Sequence, residues 1–227
     1  PLTVTVSAVR AMLPYGAVFA AVVAVTALAH GLCSVRPKSQ LHGPVAPAAF
    51  GGFQANYLMA YLLAVAADWL QGPYVYALYT YSGYSKAEVG QLYIAGFASS
   101  AVFGTFVAAI ADKYGRKSNA VFYCVAYVFS CATKHSPNFY VLLTGRLLGG
   151  VAYSILFSAF ESWMVYEHAA RGFPQHLLSS TFAKAQLCNG IVAIVAGKVA
   201  GWFADRYGKV MPFDLSIVVL VVLGVLI

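Results

Sequence analysis

Charge is what this sequence has least of. Of its 227 residues, 9% are Asp, Glu, Lys or Arg, where a soluble domain carries about 25%. A chain this poor in ionic groups cannot clothe a soluble globule. Strict alternation of apolar and polar residues is also missing, so the short alternating strands of a membrane barrel are excluded. Cysteine is scarce, with Cys33, Cys124, Cys131 and Cys188 in or at the ends of apolar segments and no CxxC; they read as small packing residues and give no metal site. No nucleophile–base constellation, Walker loop or GxGxxG occurs, so neither enzyme activity nor a cofactor is expected. His30 is a lone histidine at the end of an apolar run, a poor signal for a heme or chlorophyll ligand. His42, His135, His168 and His176 fall near loops. The net charge of +7 is scattered, its densest cluster being Lys113, Arg116 and Lys117. That is loop charge of the kind that sets membrane topology, and no nucleic-acid partner is expected.

Long apolar runs are what the sequence has instead. Apolar residues make up 61% of it, and the mean hydropathy is +0.74. Continuous runs of about 20 residues span a bilayer as helices, because each backbone polar group must be satisfied within its own segment. The expectation is an all-α, multi-pass membrane protein in contact with lipid. Seven segments are read: about Ala8–Cys33, Phe53–Tyr79, Ala87–Ala111, Asn119–Thr133, Phe139–Tyr166, Leu178–Ala204 and Met211–Ile227. Residues 34–52, with Pro37, Pro44 and Pro47, read as a proline-rich linker. The organisation expected is therefore an extra helix at 1–33, the linker at 34–52, and a six-helix bundle at 53–227. The last segment, still apolar at Ile227, rises about 25 Å as a helix against a hydrocarbon core of about 30 Å. It reads as a bundle truncated in its final helix, and Pro1 as a processed or truncated start.

One phrase occurs twice. Ala111-Asp112-Lys113-Tyr114-Gly115-Arg116 returns 93 positions later as Ala204-Asp205-Arg206-Tyr207-Gly208-Lys209, and Gly104 and Gly197 keep the same offset. Three segments lie between the copies, an odd number, so the copies face opposite sides of the membrane. Segments two to four and five to seven then form two inverted three-helix repeats, a transporter architecture. Gly115 and Gly208 allow tight turns with positive φ. Asp112 can meet a helix N-terminus, while Lys113, Arg116 and Lys117 can pair with it or with lipid phosphate. Placing the linker and the three-charge loop inside leaves six basic residues inside and five outside, a bare preference for that orientation.

The Asp112-Lys113-Tyr114-Gly115-Arg116-Lys117 turn resembles the loop signature of the major facilitator superfamily, between its second and third core helices. Ala108 stands where that pattern usually has glycine; the second copy has Gly201 there. The runs Ala67-Asp68-Trp69-Leu70-Gln71-Gly72-Pro73-Tyr74, Val141-Leu142-Leu143-Thr144-Gly145-Arg146-Leu147-Leu148-Gly149-Gly150, Leu156-Phe157-Ser158-Ala159-Phe160-Glu161-Ser162-Trp163 and Thr181-Phe182-Ala183-Lys184 resemble the molybdate-anion transporter family within it. At position 184 that family often has arginine, and lysine keeps the charge without the fork. The resemblance implies twelve core helices in two six-helix halves, of which this chain would supply the first. It also implies that the Asp112, Lys113, Gly115, Arg116, Lys117 loop braces one half against the other and gates the inner mouth. It favours the plasma membrane, with an organelle membrane as the alternative.

Charges inside spans are costly unless paired or hydrated, and so mark function. Four stand out: Asp68, Arg146, Glu161 and Lys184; Lys198 lies nearer a membrane face and can snorkel. Asp68–Arg146 is one candidate pair, and Glu161–Lys184, at one depth on successive helices, is the better one. In the functional reading Arg146 and Lys184 bind a tetrahedral oxyanion such as molybdate, and Asp68 or Glu161 is a proton or gating partner. Gln71, Tyr74, Gln186 and Asn189 can line the same cavity, and Gly72-Pro73 can break its helix. The plain alternative is four charges in static pairs that tie helices together.

Two functions remain open on the sequence. One is half of a secondary transporter for molybdate or a similar oxyanion, working by alternating access against a second six-helix bundle supplied by a C-terminal half, a second chain or a dimer. The other is a non-transporting transmembrane scaffold, derived from a transporter half and held among other membrane subunits.

Overall fold

The computed structural model describes residues 47–114 and 116–227, and every described element is helical. The expected first helix and most of the linker lie outside the described residues, as does Gly115. In chain order the elements are α1 (Pro47–Gln71), α2 (Tyr74–Tyr81), α3 (Lys86–Tyr114), α4 (Arg116–Ala132), a 3-10 turn (Thr133–His135), α5 (Phe139–Ala170), α6 (Gln175–Tyr207) and α7 (Met211–Leu226). Four helical stretches are long and apolar enough to cross a membrane: Phe50–Tyr81, Lys86–Phe106, Phe139–Ala170 and Gln175–Tyr207. Met211–Leu226 is apolar but shorter.

Local chemistry explains the boundaries. The helix expected from Phe53 starts at Pro47 instead, because proline has no N–H to waste in a first turn. It breaks after Gln71. Gly72 N–H still reaches the Asp68 carbonyl at 2.9 Å, but Pro73 has no N–H to continue the ladder and instead precedes α2. Ser85 and Glu88 form a capping box before α3, with Ser85 N–H donating to Glu88 Oε2 at 2.8 Å and Glu88 N–H to Ser85 Oγ at 3.3 Å. The Asn138 side chain caps α5 by accepting from Tyr140 N–H at 2.9 Å. Gly208 ends α6 at φ +107°, the positive φ expected of it.

The helices run up and down. Residues 82–85, the 3-10 turn and residues 208–210 meet at one end, where Tyr84 OH donates to the Pro137 carbonyl and His135 Nε2 lies 3.1 Å from Asp214 Oδ1. Phe50, Phe53, His168 and Phe173 cluster at the other, with Phe53 stacked on Phe173 and Phe50 edge-on to His168 and Phe173. The principal packings are α3 on α5, α4 on α5, α1 on α6, α1 on α7 and α4 on α7. Small residues let α3 and α5 touch: a Cβ added at Gly150 would sit 2.2 Å from the Gly96 carbonyl. Ser99 Oγ donates to the Leu147 carbonyl at 2.7 Å, and Ser100 and Ser154 share a hydrogen bond of 2.9 Å. Close backbone approach through small residues is how helices associate where water does not drive them together. The outer faces carry exposed apolar side chains, such as Ile94 and Phe97 on α3 and Phe122, Val125 and Phe129 on α4. This is a surface for lipid, and the chain is an integral, multi-pass membrane protein.

Candidate functional site

A cavity of about 190 Å³ opens between α1, α3, α4 and α5. Asp68 and Gln71 come from the last turn of α1, just before the Gly72-Pro73 break, and Arg146 comes from α5. The sequence singled out these three, and the fold brings them to one cavity. They are not joined as expected, since no Asp68–Arg146 ion pair forms among the described residues. Asp68 instead accepts a hydrogen bond from Tyr127 OH. Arg146 donates from Nε to the Leu92 carbonyl at 3.3 Å and lies 4.7 Å from the centre of the Tyr93 ring. Its guanidinium rests on Gly96, where an added Cβ would meet Nη2 at 2.9 Å. The α3 glycine therefore makes room for the cation, which is placed by a carbonyl and a ring face and keeps donors for another acceptor.

Sequence reading missed Lys134. Placed after the last apolar residues of α4, it nevertheless lines the same cavity and is only 4% exposed. Its Nζ has no hydrogen-bond partner and stands 5.5 Å from the Tyr79 ring centre. The signal was present as spacing: Tyr127, Ser130 and Lys134 continue one face of α4 into the 3-10 turn, and all three line the cavity. Burial, with Arg146 nearby, holds the Lys134 ammonium down to about 7. An unpartnered buried charge costs several kcal/mol. Gln71 adds a second unmatched donor: its Oε1 accepts from Cys131 Sγ at 3.4 Å, while its buried Nε2 has no partner. The cavity thus offers an ammonium, a guanidinium and an amide N–H, with its one carboxylate engaged by a tyrosine.

The other candidates lie elsewhere. Lys184 is exposed on α6 and donates to Gln54 Oε1 at 3.0 Å. It makes no ion pair with Glu161 among the described residues; the Gln54 amide oxygen accepts its hydrogen bond. Glu161 lines a smaller cavity of about 90 Å³ with Tyr57, Tyr61 and Gln186. Asn189 accepts from Trp69 Nε1 at 2.9 Å, an exposed tie between α6 and α1. Tyr74 presses its hydroxyl on Gly201, where a Cβ would meet it at 2.8 Å. These three polar groups serve helix contacts rather than the Arg146 cavity. Of the doubled turn, the second copy pairs Asp205 with Lys209 at 3.1 Å; the side chains of Asp112, Lys113, Arg116 and Lys117 lie outside the described residues. No group of three or more His, Cys, Asp or Glu that could hold a metal occurs among the described residues.

Comparison with known proteins bears on the same helices. A family of transporters, described as sugar transporters with 12 transmembrane spans, matches residues 14–227. The chain is 41% identical to the molybdate-anion transporter of Takifugu rubripes over 74% of its own length and 36% of that protein's. It is 40% identical to that of Danio rerio over 76% and 37%, and 36% identical to that of Xenopus tropicalis over 83% and 42%. The chain belongs to the molybdate-anion transporter family of the major facilitator superfamily. This family member spans roughly two fifths of the length of the curated relatives it matches. The resemblance drawn from Ala67–Tyr74, Val141–Gly150 and Leu156–Trp163 is thus borne out, and those runs supply Asp68, Gln71 and Arg146 to the cavity of this family member.

Proposed function

We propose that the chain is the first half of a secondary transporter for a tetrahedral oxyanion of the molybdate class, with the Asp68–Lys134–Arg146 cavity as its substrate site. The observation that carries this reading is that Arg146 and Lys134 line one cavity without a carboxylate paired to either among the described residues. Guanidinium and ammonium donors suit an anion with several equivalent oxygens. Asp68, held by Tyr127, is placed to act as a proton or gating partner. The names of the relatives favour molybdate among such anions.

Alternating access needs a second bundle, and two features support that. The packing maps onto itself when α1, α3 and α4 are exchanged with α5, α6 and α7: α3 lies on α5 as α6 lies on α1, and α4 on α5 as α7 on α1. The offset of the doubled turn extends to the cavities. Asp68, Tyr93 and Gly150 line the larger one, and Glu161, Gln186 and Tyr57, each 93 positions away, line the smaller. These correspondences support reading the bundle as two inverted three-helix repeats. The second feature is a polar, exposed surface shared by α1 and α6, carrying Lys184 with Gln54 and Trp69 with Asn189. Such groups suit a facing bundle or a water-filled path, not lipid. In the same reading the Asp112–Lys117 loop braces that bundle. The test is tracer molybdate uptake by the full-length protein in proteoliposomes. Arg146→Ala should abolish saturable uptake, and undiminished uptake would remove this cavity as the site.

A further inference from the structure

We infer that Lys134 is the second cation of the oxyanion site and sets its charge requirement, so that the cavity prefers tetrahedral dianions to monoanions of the same shape. The inference rests on the reading of the cavity as the substrate site. Lys134 enters from the turn beyond α4, and Arg146 from α5, so two separate elements deliver the two charges. Neither nearby carboxylate pairs with Lys134: Asp68 accepts from Tyr127 OH, and Asp214 lies 3.1 Å from His135. A lysine that only tied helices together would hold a carbonyl or a carboxylate. Lys134 Nζ holds neither, and the hydroxyl of Tyr79, the ring against which it lies, is likewise buried without a partner.

What the cavity leaves unmatched is a set of donors. Lys134 Nζ and Gln71 Nε2 are both buried and unpartnered, and Arg146 is placed from Nε by the Leu92 carbonyl. A tetrahedral oxyanion presents acceptors in every direction, so it can meet donors arriving from α1, α4 and α5 together. Two cations against one engaged carboxylate leave an excess of positive charge. A second negative charge on the ligand gains more from that field than a single one, and the low dielectric of the bundle enlarges the difference. With Lys134 removed, a single cation remains and the dianion loses its advantage.

The experiment measures the ratio of half-saturating concentrations for molybdate, a dianion, and perrhenate, a tetrahedral monoanion, on the full-length protein in proteoliposomes. A ratio is independent of how much protein inserts correctly. Lys134→Met and Lys134→Gln are expected to shift it tenfold or more toward perrhenate, and Lys134→Arg to keep the wild-type preference. A ratio unchanged in Met and Gln variants, with wild type carrying molybdate, overturns the role of Lys134 and leaves the transport reading standing. Equal loss of both anions, with the residual ratio unmoved, assigns Lys134 to structure and likewise overturns the inference. A correctly inserted wild type that carries neither anion overturns the transport reading, and the inference with it.

Discussion

The bundle holds charge in two settings. In the cavity between α1, α3, α4 and α5, Lys134 is buried and Arg146 half-buried, and Lys134 Nζ has no hydrogen-bond partner. On the exposed surface of α1 and α6, Lys184 finds Gln54 at 3.0 Å. Both regions put lysine beside apolar helices, yet only one leaves a charge uncompensated. Exposed cations bonded to neutral amides cost little and specify little. A buried lysine without a counter-ion meets that cost by a lowered pKa, as Lys134 does, or by binding an anion. The comparison separates a candidate binding site from a candidate contact surface, although the sequence presents Lys184 as the better of the two lysines.

The sharpest way to break this contrast is to remove one cation from each region. Arg146→Ala should lower molybdate uptake by the full-length protein at least about 30-fold, the scale of losing a buried charge contact. Lys184→Ala should change it no more than about threefold, since an exposed bond to an amide contributes about 1 kcal/mol or less. Equal losses in the two variants would erase the distinction. Next in size is an indirect route to the same guanidinium. Gly96→Val, with bulk where Nη2 would sit 2.9 Å from even a Cβ, should displace Arg146 and reduce uptake about tenfold, while Gly190→Val, at a position open to its surroundings, should not. Overpacking of this kind also costs about 1–3 kcal/mol, so thermal unfolding should accompany the uptake assay.

A smaller effect comes from pH. Lys134 titrates near 7, and only its protonated form attracts an anion. Uptake of a dianion should therefore be high below that value and fall as pH rises through it, and Lys134→Met should flatten the fall. The groups facing Lys134 are Arg146 from α5, Asp68 and Tyr79 from α1 and α2, Cys131 from α4, and Asp214 from α7 through His135. Asp68→Asn serves as the control for a carboxylate origin of the profile. The smallest effect is expected at the same end of the bundle, at the surface. Asp214 raises the pKa of His135, so the pair stabilises the fold below the ordinary histidine range and the gain is lost as pH rises through the raised value. Because His135 is half exposed, Asp214→Asn should cost less than about 1 kcal/mol, measured as a small drop in melting temperature at pH 6 that vanishes at pH 9.

Some of the site was legible from residue type alone. Asp68, Gln71 and Arg146 are polar groups in long apolar runs, and the cost of placing them there made them conspicuous. Lys134 was not conspicuous, because it follows the last apolar residues of α4 and so resembles any lysine at a membrane edge. Only the turn that folds it back toward Tyr79 shows that it is buried. The partnerships were not legible either. Depth along a helix suggested Asp68–Arg146 and Glu161–Lys184, but depth says nothing about azimuth, and Tyr127 and Gln54 were closer in the direction that mattered.

By itself the sequence determined the solvent, the helices and the family. Those follow from run length, from the scarcity of charge, and from local signals such as Pro73, Ser85 with Glu88, and Gly208, which act within a few residues. The tertiary structure alone decided which charges share a cavity and which of them go unpaired. Those depend on the rotation of each helix about its axis, set by contacts such as Gly150 against the Gly96 carbonyl. Close packing of small residues fixes that rotation, and residues more than 50 positions apart must meet before it exists.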